Sequence, residues 1–384
     1  MVVTRAGKEV RGSRVSLLVL GAAFVGVAGC TTLLGLDLDD KHLASERASA
    51  LDASVDSPDP SVDIGSFTIE QQLPDGTPLT AIWGADAEHV FAVGMSGLVY
   101  TYDTGLWSKY GGDEVGRDFN AVWGRSARDV YAVGSTTTGK GFIRHYDGKD
   151  WADVFAAPVG LYGVWGTPDG FVLAVGAKGS LFAWHQGTDW TSFGPLDPKP
   201  GVPLGASDPL LTAISGRNFD DFAIAGDARI YHAETTTGGD QTFATYDAEF
   251  EPELSFRTVW QAPGPSTNLF FGTNFFGIVS LTTYGATPDS STGNDVRFKA
   301  ATILRDETAA GAKSKFIRGI WSTPEVLLAV GDEGRIYALD VGQARVERVA
   351  CPSAAALTGI WGSSLEDIWV VGDGELILHG SVAR

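Results

Sequence analysis

Cysteine is nearly missing from the 384-residue chain: Cys30 and Cys351 are its two thiols, so no framework of intrachain disulfides can hold the body together. Basic residues are also short, with 28 Lys and Arg against 47 Asp and Glu and a formal charge of −19. Residues 1–29 contribute +3 of their own, from Arg5, Lys8, Arg11 and Arg14 against Glu9, which leaves −22 on the remainder. Such a body has no electrostatic reason to bind nucleic acid or an anionic lipid surface. The chain has no Gly-x-Ser-x-Gly elbow, no phosphate-binding loop and no apolar pattern of helical length. What remains is 44% apolar, 11% aromatic and rich in glycine, with 49 of them, which agrees with a turn-rich all-β chain able to bury a large core.

The N-terminus reads as a targeting segment. Its basic stretch precedes the apolar run Val15 to Gly29, which is shorter than the ~20 residues of a comfortable spanning helix and ends in small residues. Residues 30–66 then change character: Asp37, Asp39, Asp40, Asp52, Asp56, Asp59 and Asp63 sit among Ala, Ser and Pro. A segment so poor in aromatic residues cannot bury enough surface to order itself, and the expectation is an acidic tether. The run Asp37 to Asp40 lacks the spacing and glycine of a calcium loop.

From Leu79 onward one pattern returns seven times. Its copies include LTAIWGADAEHVFAVG from Leu79, FNAVWGRSARDVYAVG from Phe119 and LTGIWGSSLEDIWVVG from Leu357. The anchors are Trp83, Trp123, Trp165, Ser215, Trp260, Trp321 and Trp361, spaced 40, 42, 50, 45, 61 and 40 residues apart. A period of ~40–45 residues built from short apolar strands is the mark of a β-propeller blade. The first copy divides into four strands bounded by Gly, Asp and Ser turns, and the tryptophans are expected to be buried at the blade junctions. The fold expected is therefore an all-β, seven-bladed propeller over residues 67–384.

The last repeat shows only three strands, while Phe67 to Leu73 is a spare strand-like piece with no repeat of its own. That piece is expected to complete the seventh blade, burying Phe67 and Ile69 and leaving no open sheet edge. Insertions at Pro195 to Pro209 and Arg305 to Lys315 fall between blades. Those at Thr235 to Gln241 and Gly285 to Asp295 fall in outer hairpins.

Two resemblances rest on quoted residues. Val27-Ala28-Gly29-Cys30 resembles the lipobox of bacterial lipoproteins, which implies cleavage after residue 29 and lipidation of Cys30; Thr31 after the cysteine implies the outer membrane. Trp123-Gly124, Asp129 to Gly134 and the hairpin Tyr146-Asp147-Gly148-Lys149-Asp150-Trp151 resemble the BNR or Asp-box propellers, more narrowly the photosystem-assembly-type repeat proteins. That resemblance implies a habit of binding proteins or glycans. The hairpins of blades 4 to 7 lack the Asp-Gly-x-x-Trp element, and blade 5 is irregular.

Chemistry is sparse. Phe256-Arg257 and Phe316-Ile317-Arg318 do not continue as the Phe-Arg-Ile-Pro element of a sialidase. His145 and His232 are expected in one register of the third strands and His185 and His379 in another, on blades that are not neighbours, so no metal site and no cofactor are expected. One constellation stands out: Asp227, Asp332 and Asp373 follow the repeated glycine, with Glu333 and Glu375 nearby, on turns expected at the channel mouth. Converging carboxylates suit a cation or a basic partner, and Gly-Asp turns also suit plain β-turn geometry. Two functions follow: a membrane-tethered module binding a protein or glycan, or a polysaccharide hydrolase or lyase using paired carboxylates, for which no pair can be assigned.

Overall fold

The computed structural model describes residues 65–383, apart from 74–75, 113, 196–208, 227–228, 236–240, 248–254, 263–267, 285–296, 306–310, 312–313 and 341–344. Cys30, the leader and the tether lie outside the described residues.

The chain forms seven antiparallel sheets of four strands each. Blade 1 consists of Leu79–Asp86, His89–Gly94, Val99–Asp103 and Leu106–Gly111, and each later blade repeats that order. The first strands of consecutive blades touch one another all the way round, including blade 7 against blade 1, so they form the inner wall of a closed ring. Burial follows from this placement. Second strands such as His89–Gly94 and Val326–Gly331 are buried on both faces between neighbouring sheets, as their unbroken apolar runs require. Fourth strands lie at the rim, and Leu106–Gly111 is largely exposed.

The ring closes as the spare strand predicts. Gly65–Gln71 pairs antiparallel with Leu376–Val382, Gly65 opposite Val382 and Ile69 opposite Leu378, and it is the outer strand of blade 7. Its bounds lie two residues earlier than expected, and Leu73 has left the sheet, its N–H bonding the Gly374 carbonyl at 2.8 Å. Phe67 is buried, and its ring occupies the space where a side chain at Gly380 would stand. Ile69 is 43% exposed instead of buried, because this outer strand lies at the rim, away from the inner wall where neighbouring sheets meet.

The repeated Trp-Gly pair acquires a physical reason at the junctions. A Cβ on Gly124 would lie 2.7 Å from the Trp83 ring, one on Gly166 2.6 Å from Trp123, one on Gly362 3.0 Å from Trp321, and one on Gly84 2.6 Å from Trp361. At these four junctions the indole of one blade thus lies against the glycine of the next, and only glycine leaves room for it. Trp165 and Trp321 are buried, whereas Trp83, Trp123, Trp260 and Trp361 keep part of the ring exposed: full burial was the expectation, and stacking on a backbone covers one face of a ring more than both.

Where the pair is missing, the replacements match. Ser215 stands in the tryptophan position of blade 4, and its hydroxyl accepts the Gln261 N–H at 3.1 Å. Ser322 stands in the glycine position of blade 6, and its hydroxyl accepts the Trp260 indole N–H at 2.9 Å. Near the start of the inner strand a second link runs round part of the ring. The side chains of Thr80, Asn120, Thr212 and Thr358 each donate to a carbonyl of the following blade, those of Phe119, Leu161, Phe256 and Leu79.

Candidate functional site

The turns after the second strands and the connectors between blades share one face of the ring, and the acidic residues singled out in the sequence lie there. Asp227 falls outside the described residues. Asp332 is buried; its carboxylate accepts the Phe316 N–H at 2.9 Å and the Arg318 Nε–H at 2.6 Å. Glu333 is exposed, with Lys315 at 3.1 Å and Arg335 at 3.6 Å. Asp373 is exposed. Glu375 is only 5% exposed: it accepts a short hydrogen bond from the Tyr100 hydroxyl of blade 1, with Lys109 at 3.8 Å. Burial and that carboxylate bond push the Tyr100 phenol up to about 12.

The two buried carboxylates, Asp332 and Glu375, do not converge. Asp332 ties its turn to the inner strand of blade 6, and Glu375 ties blade 7 to blade 1 across the closing junction. Among the described residues no group of three or more His, Cys, Asp or Glu side chains comes together as a metal site. The positive φ of the Gly-Asp turns falls one or two residues past the aspartate, on Glu333 (60°) and on Gly374 and Glu375 (78° and 51°), so Asp332 is there for its hydrogen bonds and not for its backbone.

The histidines lie on the opposite face, and their registers differ from the expected ones. His145, His232 and His379 share one register, opposite Tyr131, Ala223 and Trp369, while His185 pairs with Phe171. Each of the three bonds the aspartate that opens its second strand: Asp129 at 2.7 Å, Asp221 at 2.9 Å and Asp367 at 2.8 Å. A second partner, Arg125, Arg217 or Ser363, holds each carboxylate from the end of the preceding first strand. His145 stacks on Tyr131 and His379 on Trp369. The His145 and His379 bonds are latches within single blades, since the second and third strands they join belong to one sheet, while Asp221 also accepts the Gln261 Nε2–H of blade 5 at 3.4 Å.

The feature most unlike the rest of the ring lies at blades 5 and 6. At the inner-strand position where Thr80 and its counterparts bond the next blade, these two blades carry Arg257 and Arg318. Both guanidinium groups lie by the Phe316 ring, at 4.7 Å and 6.0 Å from its centre. The adjoining turn, Asn274-Phe275-Phe276-Gly277, holds two consecutive phenylalanines at φ 59° and 50°, a conformation bulky side chains adopt only when their surroundings impose it. Arg305 lies over Phe275 and Arg335 over Phe276, each at 4.4 Å. Four guanidinium groups thus lie by three aromatic rings, with Lys315 beside Glu333, against the carboxylates of Asp332 and Glu333 among the described residues. Arg257 is exposed and Arg318 two-fifths exposed, so their donors reach solvent at the channel mouth. Planar guanidinium held by a ring and open to solvent is suited to bidentate binding of carboxylate.

Sequence reasoning misses these arginines when it tests Phe256-Arg257 and Phe316-Ile317-Arg318 against one enzyme motif. Alignment of the inner strands holds the signal: small polar residues stand at that position in four blades and arginine in two adjacent ones.

Solved structures of known proteins share this ring. The chain matches the structure of YCF48 bound to D1 peptide, with a TM-score of 0.59 at 13% identity over 85% of this chain and 99% of that one. It also matches a catalytically inactive virginiamycin B lyase from Staphylococcus aureus with quinupristin, with a TM-score of 0.63 at 14% identity over 83% and 99%. The WD40 propeller domain of Doa1 gives 0.59 at 14% over 82% and 97%. No protein-family model and no curated protein sequence matches the chain. The chain is a seven-bladed β-propeller. At such identities the likeness is one of fold, shared by a peptide-bound propeller and a lyase alike.

Proposed function

We propose that the protein is a lipid-anchored propeller of the bacterial cell envelope, of the Asp-box repeat type, that binds a protein partner at the basic and aromatic channel mouth of blades 5 and 6. The observation that carries this reading is the pair Arg257 and Arg318 set against Phe316, in a chain whose overall charge is strongly negative. A rigid ring bearing one local concentration of guanidinium groups favours a partner segment bearing carboxylates. That one propeller of this shape has been seen with a bound peptide supports the choice of a peptide over a glycan. Hydrolase or lyase chemistry on polysaccharide needs two carboxylates poised at a set separation; Asp332 and Glu375 are each already engaged by neighbouring side chains.

Fluorescence anisotropy of short carboxylate-rich peptides against the folded domain tests the binding half. Saturable binding that weakens with salt and is not competed by neutral oligosaccharides is the expected result; glycan binding with no peptide binding refutes it. The anchor is tested by detergent-phase partitioning. Wild type should enter the detergent phase and Cys30→Ser should not, and equal partitioning of the two refutes lipidation at Cys30.

A further inference from the structure

The residue after the repeated glycine makes the same backbone bond in blades of different sequence. The N–H of Met95 donates to Pro78 at 3.0 Å, that of Ala177 to Gly160 at 2.9 Å, that of Asp332 to Phe316 at 3.1 Å and that of Asp373 to Ala356 at 3.0 Å, each time to the carbonyl just before the inner strand. Methionine and alanine form this turn as well as aspartate does, so the turn needs no carboxylate. The two aspartates nevertheless differ: Asp373 is exposed, whereas Asp332 is 7% exposed. Burying a carboxylate costs free energy unless hydrogen bonds replace its water. Asp332 has two such bonds, and both lead to the arginine site. One oxygen accepts the Phe316 N–H at 2.9 Å and the other the Arg318 Nε–H at 2.6 Å. Blade 7 carries Ala356 and Thr358 at the corresponding positions, and there the aspartate stays in solvent.

We infer that Asp332 is a positioning residue of the binding site, fixing the Phe316 backbone and the Arg318 Nε so that the two outer nitrogens of that guanidinium are left for a carboxylate of the partner. The inference rests on the binding site proposed above and adds the group that orients it. An arginine has many rotamers, and ordering one on a ligand costs affinity. Asp332 orders Arg318 before the partner arrives. With Nε engaged, Arg318 makes contact end-on through Nη1 and Nη2, which form no other hydrogen bond among the described residues. Such a pair of parallel donors matches the two oxygens of one carboxylate. Asp332 is also an anion beside an anion-binding group, and its charge alone opposes the partner. Orientation and charge therefore give opposite signs for the effect of removing it.

The test is anisotropy of a fluorescent peptide of Asp and Glu residues with the folded domain. Asp332→Asn should weaken binding about fivefold, the cost of ordering a freed side chain on the ligand. Loss of the charge alone would instead tighten binding about twofold at physiological salt. Asp373→Asn is the matched control, the same substitution at the same place in the next blade's turn, and should bind as wild type or slightly tighter. A cycle with Arg318→Lys shows the route. Lysine keeps the charge but has no planar pair of donors to orient, so in that background Asp332→Asn should weaken binding no further. Melting temperatures above that of the assay show that each variant is folded; should Asp332→Asn not be, Asp332→Ser, which keeps one acceptor oxygen, takes its place. Tighter binding by Asp332→Asn, equal effects of Asp332→Asn and Asp373→Asn, or equal weakening in both Arg318 backgrounds overturns the positioning role, and the arginine site still stands if Arg257→Glu weakens binding. If Arg257→Glu binds the peptide as wild type does, the site itself is wrong and the positioning role falls with it.

Discussion

Blades 1, 2 and 7 and blades 4 to 6 answer the same structural problem with different residues. In the first group each indole covers the next blade's glycine, and a threonine or asparagine side chain bonds the next blade's backbone. The second group keeps this pattern only in part: one stacked pair runs from Trp321 to Gly362, while the junctions of blades 4 to 5 and 5 to 6 rest on the hydroxyls of Ser215 and Ser322. Within that stretch blades 5 and 6 exchange the inter-blade threonine for Arg257 and Arg318, and blade 5 exchanges the Gly-Asp turn for Asn274-Phe275-Phe276-Gly277. Regular blades hold the ring; the irregular ones carry the two arginines set on Phe316. A site of this kind is expected where local rules are broken, since strain and polarity persist there only if the surrounding ring supports them.

The junction that closes the ring carries the largest expected effect. Deleting residues 31–62 should leave the melting temperature of the domain near wild type, whereas deleting on through Leu73 strips the outer strand from blade 7. That loss removes a row of ladder hydrogen bonds worth ~0.5–1.5 kcal/mol each, together with the burial of Phe67. The longer deletion should melt far earlier and self-associate through the exposed Leu376–Val382 edge, as light scattering would show. Equal melting of the two would mean that this strand does not close the ring.

A smaller effect separates the two kinds of junction directly. Trp83→Ala removes a partly exposed ring from its glycine and should cost ~2–4 kcal/mol, below the full cost of emptying a buried tryptophan site. Ser322→Ala removes one acceptor and should cost ~1 kcal/mol. Denaturant titration would rank them; a cost for Ser322→Ala equal to that of Trp83→Ala would erase the distinction between stacked and bonded junctions.

Weakest in size is the pH response of the latches. Burial alone pushes the Asp221 carboxyl up, but its bonds to His232 and Arg217 outweigh that and bring it down to about 2 from the ordinary 3.8. A carboxyl whose folded pKa is depressed stabilises the fold fully above its unfolded pKa and loses that contribution as the pH falls through the folded one. The window here is pH ~4 down to pH ~2, and the amount is roughly 2 kcal/mol. Asp221→Asn should flatten the stability profile in that window, and an unchanged profile would show that the latch contributes nothing to folding.

Much of this architecture can be read from the chain. The Trp-Gly pair, kept in blades 1, 2, 3 and 7 and altered in blades 4 to 6, marks the repeat because an indole over a glycine is a packing rule written in adjacent letters, and the three-stranded last repeat foretells the role of Phe67. Other features depend on neighbours the repeat does not name. Ile69 alternates like a buried residue, yet an outer strand has no blade beyond it. Counting from turns of unequal length places His379 with His185; the pairing with Trp369 depends on register. Asp332 and Glu375 look like a converging pair until their partners, Arg318 and Tyr100, are seen to come from an inner strand and an adjacent blade. The arginine site spans two inner strands, a connector and a turn, so no single stretch of sequence displays it.

Arg257 serves binding while the Trp-Gly junctions serve the fold, and one paired measurement separates the two roles. Arg257→Glu and Trp83→Ala are compared for melting temperature and for anisotropy with the acidic peptide under the same salt. Arg257→Glu should lose peptide binding with a melting temperature close to wild type, because its side chain lies exposed on Phe316, while Trp83→Ala should melt several degrees lower and, below its transition, still bind. Retained binding in Arg257→Glu, or a fall in its melting temperature as large as that of Trp83→Ala, would contradict the claim.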